Sequence, residues 1–212
     1  MAEAGRTDDN EEASMLQSAL VQLGLAAPAV TPDMVRNERE YHKELACELG
    51  SVLLGQQGLL GPGCVVRDGR IPSTTYSDTG RGILPLDEVW GLWNRARGVA
   101  LVSPKTMRAA TVFLPQVTWP RVDVRTLPSG LMVLHTPRFA SEAFEARVLA
   151  YLDAVQPEGR STADVAQVEH TPLALIRDLL TSVEQETGTI ARDECGTHDT
   201  QWFRNCILEA RL

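Results

Sequence analysis

Catalysis needs titratable or nucleophilic side chains that converge, and in this chain they are scattered. The four histidines, His42, His135, His170 and His198, fall in four different segments, none within a recognised catalytic signature. Ser129-Gly130 lies in the turn "LPSG", and no Gly-x-Ser-x-Gly surrounds the serine, so it is not a nucleophile elbow. Asp87-Glu88 is the one tight acidic pair beside apolar residues. Just after Pro85, it reads as charge favoured by the positive end of a helix. Cys195, His198 and Cys206 are metal-ligating types, yet they lack a paired spacing and a fourth ligand, so they do not read as a zinc site. Gly61-Pro62-Gly63 follows a helical pattern rather than a strand and contains proline, which does not suit a phosphate loop. The residues therefore predict no catalytic group, no cofactor and no metal: a non-enzyme.

The elements behind these residues are clearer. Residues 1–13 form an acidic tail with the composition of a disordered segment. A helical arm is expected over 14–57. It begins with "SMLQSALVQLGLA", where Leu16, Leu20 and Leu23 recur at helical spacing. After Pro28 a long helix is predicted over about 32–55, capped by Thr31 with Pro32 at its first position. Val35, Tyr41, Leu45, Leu49, Val52 and Leu53 give that helix one apolar stripe. Residues 58–82 are rich in Gly, Pro, Ser and Thr without a sustained period and read as an irregular loop.

From 83 to 137 the chain reads as one unit. "GIL" is a short strand, and "LDEVWGLWNRA" is a helix ended by Gly98. "SPKTMRAATVFLPQ" is a second helix capped by Ser103, and "VDVRTLPSGLMVLHT" is a hairpin. Residues 138–212 repeat the pattern. A helix over 141–155 leads to a short helix "TADVAQV", then to "LALIRDLLTSVEQETG" behind Thr171-Pro172, and to strands "TIARDE" and "TQWFRNCIL". The predicted fold is mainly α with small β-hairpins (α+β): an N-terminal helical arm followed by two tandem winged helices.

Winged helices often bind DNA, so a DNA-binding transcription regulator is the alternative reading. Charge opposes it. The chain carries 20 Lys+Arg against 28 Asp+Glu, a formal net charge of −8, where a duplex binder needs a basic face. In the first candidate recognition helix Lys105 and Arg108 could reach phosphate, but Met107, Thr111 and Phe113 offer little base-edge chemistry. In the second, Asp178 follows Arg177, and Glu184 and Glu186 repel phosphate. No apolar run approaches the roughly 20 residues that span a bilayer. The acidic N-terminus does not resemble a signal peptide. The irregularly spaced cysteines Cys47, Cys64, Cys195 and Cys206 read as reduced thiols of a cytoplasmic protein.

Several blocks are specific enough to carry a resemblance. "EYHKELACELGSVL" (40–53), "GILPLDEVWGLWNRARGVALVSPKTMRAA" (82–110) and "LPSGLMVLHT" (127–136) resemble, in that order, the C-terminal half of the vacuolar protein sorting-associated protein 36 family, ESCRT-II subunits. "NRARG" (94–98) followed by "LVSP" (101–104) is the most specific piece. In the second unit "IARDE" and "QWFRN" are the anchors, and the similarity spans about 38–208.

The resemblance implies a scaffold that is cytoplasmic and recruited to endosomes. It would join a subunit resembling vacuolar protein sorting protein 22 and two copies of one resembling protein 25. That heterotetramer sorts ubiquitinated membrane cargo into multivesicular bodies. Family members commonly begin with a lipid- and ubiquitin-binding GLUE domain, which the residues ahead of the matching region are too few to form. Membrane contact would then be indirect, and the resemblance does not carry direct lipid or ubiquitin binding over to these 212 residues. For assembly, the resemblance assigns Asp193 to a pair with an arginine of the protein 25-like partner. Trp202 and Phe203 are walls of a partner pocket or ordinary core. Arg95 and Arg97 complete a capped turn or reach a neighbouring subunit.

The charge balance gives a first expected outcome. Titration with duplex DNA at physiological salt should show no measurable binding; salt-dependent affinity at the roughly micromolar end of non-specific binding or tighter would overturn the protein-scaffold reading.

Overall fold

A computed structural model describes residues 29–35, 37–55, 57–67, 79–98, 100–194 and 200–207. The acidic tail and the helix expected over 14–26 lie outside the described residues, as do Cys195 and His198.

The long helix begins later than the sequence suggested. Pro32–Met34 form a single 3-10 turn, Val35 is extended, and Thr31 makes no side-chain cap. Asn37 takes that role instead: its side-chain oxygen accepts from the Glu40 backbone N–H at 2.9 Å. Helix α1 then runs Glu38–Leu53. Both Thr31 and Asn37 are good N-cap residues, and the extended Val35 between them decides for the second. α1 packs its apolar stripe against the first repeat. Leu45, Ala46, Leu49 and Leu53 have no exposed surface and form the centre of the first core. Gly50, inside this helix, lets it approach its neighbours closely: a Cβ there would lie 3.0 Å from Thr118 Cγ2 and 3.1 Å from Val65 Cγ2.

The region 58–82, expected to be irregular, contains a strand. β1 (Cys64–Val65) pairs antiparallel with β3 (Thr118–Trp119). Leu60 is buried, with its N–H donating to Leu53 O at 2.9 Å. Next come β2 (Ile83–Pro85) and α2 (Leu86–Arg97), ended by Gly98 at φ 65°. α3 (Pro104–Thr111) is capped by Ser103, which accepts from Thr106 N–H. The predicted second helix does not run on through "LPQ". It stops at Thr111, and a single turn, α4 (Leu114–Val117), follows. Pro115 has no N–H to bond the carbonyl of residue 111, and its ring collides with that carbonyl. β4 (Asp123–Thr126) and β5 (Met132–His135) form the hairpin, with sheet order β2-β5-β4.

The second repeat begins with α5 (Ser141–Asp153) and continues through β6 (Arg160–Ser161) and α6 (Thr162–Glu169). It ends with α7 (Leu173–Glu186), β7 (Ile190–Asp193) and β8 (Gln201–Arg204). Ser161 and Asp164 form a capping box at the start of α6. Thr171 does not cap α7; its hydroxyl turns back to Glu169 O at 3.0 Å. The sheet order β6-β8-β7 matches that of the first repeat: first strand, last strand, middle strand. Both repeats therefore share one connectivity, a helix, an edge strand, two helices and a hairpin.

The two sheets are separate, but the repeats share packing. β2 and β5 are buried on both faces, and β4 at the sheet's edge is only half-buried. Leu84, Leu134 and Val122 enter the first core with α1 and α2. Ile83, Val133 and Leu127 enter the second, with Phe139 and Phe144 and with Leu179 of α7. Because one sheet supplies both cores, the described chain should melt in one transition. Leu134→Ala in the first core and Phe144→Ala in the second should each lower stability by about 3–4 kcal/mol, and each should move the whole transition in calorimetry. Two resolved transitions, each shifted by only one variant, would show that the repeats are independent.

Candidate assembly surface

The turn at the end of α2 is where the resemblance is sharpest, and its two arginines part company. Arg95 is exposed, and its side chain makes no hydrogen bond or ion pair among the described residues. The Arg97 side chain is only 2% exposed. Its guanidinium meets Glu48 of α1 at 2.5 Å and the Val30 carbonyl at 2.8 Å, and its Nε donates to Ala100 O at 3.0 Å. It also lies over the Trp93 ring, 5.3 Å from the centroid, while Trp93 Nε1 donates at 3.1 Å to the same Glu48 oxygen. Glu48 in turn accepts from the Val30 N–H at 3.1 Å. Arg97 therefore holds α1, α2 and the incoming chain together. Its charge is not at the surface, which corrects the expectation that it could face a subunit directly.

The second hairpin is the outward counterpart. β7 is an edge strand, and Arg192 and Asp193 on it are exposed while Ile190 is buried. Arg192 is bound back to α7 through Glu184 at 3.2 Å and reaches Glu194 at 3.5 Å. Asp193 lies opposite Gln201 in the register. The two aromatics of β8 differ. Trp202 is fully buried, with Nε1 donating to Thr162 Oγ1 at 3.0 Å, so it is core and not a pocket wall. Phe203 is half-buried against Gly159, where a Cβ would fall 2.7 Å from the ring.

Some residues that shape this surface carried no signal in the sequence. Asp178, read above as a deterrent to phosphate, accepts from the Ser129 N–H at 3.2 Å and from the Ser129 hydroxyl. The first hairpin thus sits on α7, the helix a DNA-reading winged helix would place in the groove. Glu169 is 7% exposed and accepts from both Arg138 (3.2 Å) and Arg147 (3.0 Å), closing the joint between α5 and α6. Arg147 also lies over Phe139 and Phe144. The only sequence trace of these contacts is a charged residue set beside a stripe of apolar ones, as at Glu48 next to Leu49. Burial holds the His135 imidazole below its ordinary value and raises the Cys47 thiol. Among the described residues no cluster of His, Cys, Asp and Glu is arranged to hold a metal ion.

The model of the EAP30/Vps36 family matches residues 3–194. The chain belongs to the EAP30/Vps36 family. It is 28% identical to human "Vacuolar protein-sorting-associated protein 36" over 185 residues, 87% of this chain and 41% of that protein. The Xenopus laevis protein of the same name is 28% identical over 199 residues (93% and 44%). The Dictyostelium discoideum one is 25% identical over 194 residues (90% and 28%). The chain thus spans less than half the length of these relatives. A chain from a structure of the ESCRT-II endosomal trafficking complex aligns with a TM-score of 0.48 at 14% identity, covering 80% of this chain and 94% of that one.

The two arginines of the turn give a clean contrast. Glu48→Ala leaves the Arg97 guanidinium buried without its carboxylate and should cost about 3 kcal/mol in a denaturant titration. Arg95→Ala should change stability by less than about 0.5 kcal/mol. Equal losses for both would refute the division of labour drawn here.

Proposed function

We propose that this chain is a non-enzymatic scaffold subunit of the ESCRT-II endosomal sorting complex. It assembles with subunits resembling vacuolar protein sorting proteins 22 and 25, the latter in two copies, and serves the sorting of ubiquitinated cargo into multivesicular bodies. The observation that carries the reading is the family match over residues 3–194. The relatives' shared name, vacuolar protein-sorting-associated protein 36, supplies the process. In this reading the two repeats, about 83–137 and 138–212, are winged helices used for protein contacts. The seating of the first hairpin on α7 through Ser129 and Asp178 supports that use over DNA reading. No helix among the described residues is long and apolar enough to cross a membrane. The chain meets the endosome from the cytoplasmic side, through its partners.

Within that assembly Asp193 is the acid that receives an arginine of the protein 25-like subunit, with half-buried Phe203 beside it on β8 and Arg95 on the first repeat as a second contact. Trp202 and Arg97 act on partners only by holding those surfaces in place. Co-expression with ESCRT-II subunits followed by native mass measurement should give a stoichiometric complex holding two copies of the protein 25-like chain. Asp193→Arg should release that chain. A desolvated pair that loses one side costs about 2–5 kcal/mol of binding, a weakening of tens- to thousands-fold. The melting curve should stay in place, since an exposed charge contributes little to stability. Retained binding would refute the role of Asp193, and a collapsed melt would make it structural.

A further inference from the structure

Leu86, Trp90, Trp93 and Arg97 recur along one face of α2 at spacings of three and four. At the C-terminal end of that face α1 and Val30 cover the stripe through the Arg97 and Glu48 contacts. At the N-terminal end it is open. There Leu86 and Trp90, Pro104 and Met107 of α3, and Leu131 and Met132 at the tip of the first hairpin line an apolar groove of about 440 Å³. The Trp90 indole is fixed in its wall by a 2.8 Å bond from Nε1 to Val102 O. Asp87 and Arg108 are the charged groups at the rim, and exposed Lys105 lies on the same helix as Arg108.

We propose that this groove is occupied by the chain's own residues 14–26, seated by Leu16, Leu20 and Leu23. Those three leucines recur at i, i+4 and i+7, the anchor pattern of an amphipathic helix in a groove. The path is short. The described chain enters at Ala29, and Val30 is held at both its N–H and its carbonyl beside Arg97. Trp90 lies seven residues from Arg97 on α2, about 10 Å at the helical rise, and residues 24–29 can span up to about 20 Å. Charge fits as well. Asp8, Asp9, Glu11 and Glu12 precede the leucines, and Lys105 and Arg108 stand exposed on α3 at the groove. The proposal concerns the isolated chain and stands apart from the assembly reading above.

Hydrogen exchange on the full-length chain, without partners, tests it. Amides of residues 16–24 should exchange at least ten-fold more slowly than in a synthetic peptide of residues 14–26. Leu20→Asp, in the seated segment, and Met132→Lys, in the groove, should each abolish that protection. A photo-crosslinker at position 20 should reach Met107 or Met132 within one chain. Absent protection, or protection surviving both substitutions, would overturn the proposal. So would cross-links joining two copies, or protection arising only when partner subunits are added, because either outcome assigns the groove to another occupant.

Discussion

Strands β2 and β5 of the three-stranded sheet have no solvent face to spare, and the rest of the molecule is built around that constraint. Alternate residues of a strand point to opposite sides, so Leu84 and Leu134 fill the first core while Ile83 and Val133 fill the second. A slip of one residue would exchange these sets and wreck both cores at once. The strands are short, only three or four residues each, and owe their register to what is packed above and below. The same packing fixes the second repeat against the first, because Leu127 and the Ser129 to Asp178 contact bring the hairpin tip onto α7. The two repeats are therefore one body rather than beads on a linker.

Helix joints are the second requirement, and the molecule closes two of them with buried charge. Arg97 and Glu48 lock α2 to α1 and to the entering chain; Glu169 gathers Arg138 and Arg147 where α5 meets α6. A buried guanidinium is costly unless it is paired and hydrogen-bonded, and Arg97 meets that condition with a carboxylate, two carbonyls and the Trp93 ring. Such joints add direction that apolar packing lacks. They hold helices at one angle, which a surface needs if it is to fit another protein.

Local signals explain which parts of this were legible in the sequence. Ser103 and Gly98 sit at the helix ends they announce, and the hairpins stand where alternation and turns placed them. Errors arose where two local signals competed or where the deciding partner was distant. Thr31 and Asn37 are equivalent caps until Val35 is seen to be extended. β1 exists because Thr118 and Trp119 lie beside it, more than fifty residues away along the chain. For the candidate surface the difficulty was exposure. "NRARG" identifies the family, but nothing in five letters tells that Arg97 turns inward while Arg95 does not. Trp202 and Phe203 are neighbours on one strand, so they must face opposite ways, yet only the fold tells that Trp202 is the one inside.

What remains outward narrows the kind of contact the second repeat can make. Its α7 is met at Asp178 by the first hairpin, through the Ser129 N–H and hydroxyl. The free edge is β7, four residues long, with an arginine and an aspartate exposed on it. Short, charged edges discourage indiscriminate strand pairing. A partner meeting this edge has to answer its charges with its own, and mismatched charge at a desolvating contact costs more than it returns. The charges that protect the edge in the free chain are thus the same ones that would select a partner, and the rigidity of the shared sheet beneath is what keeps them in place to do so.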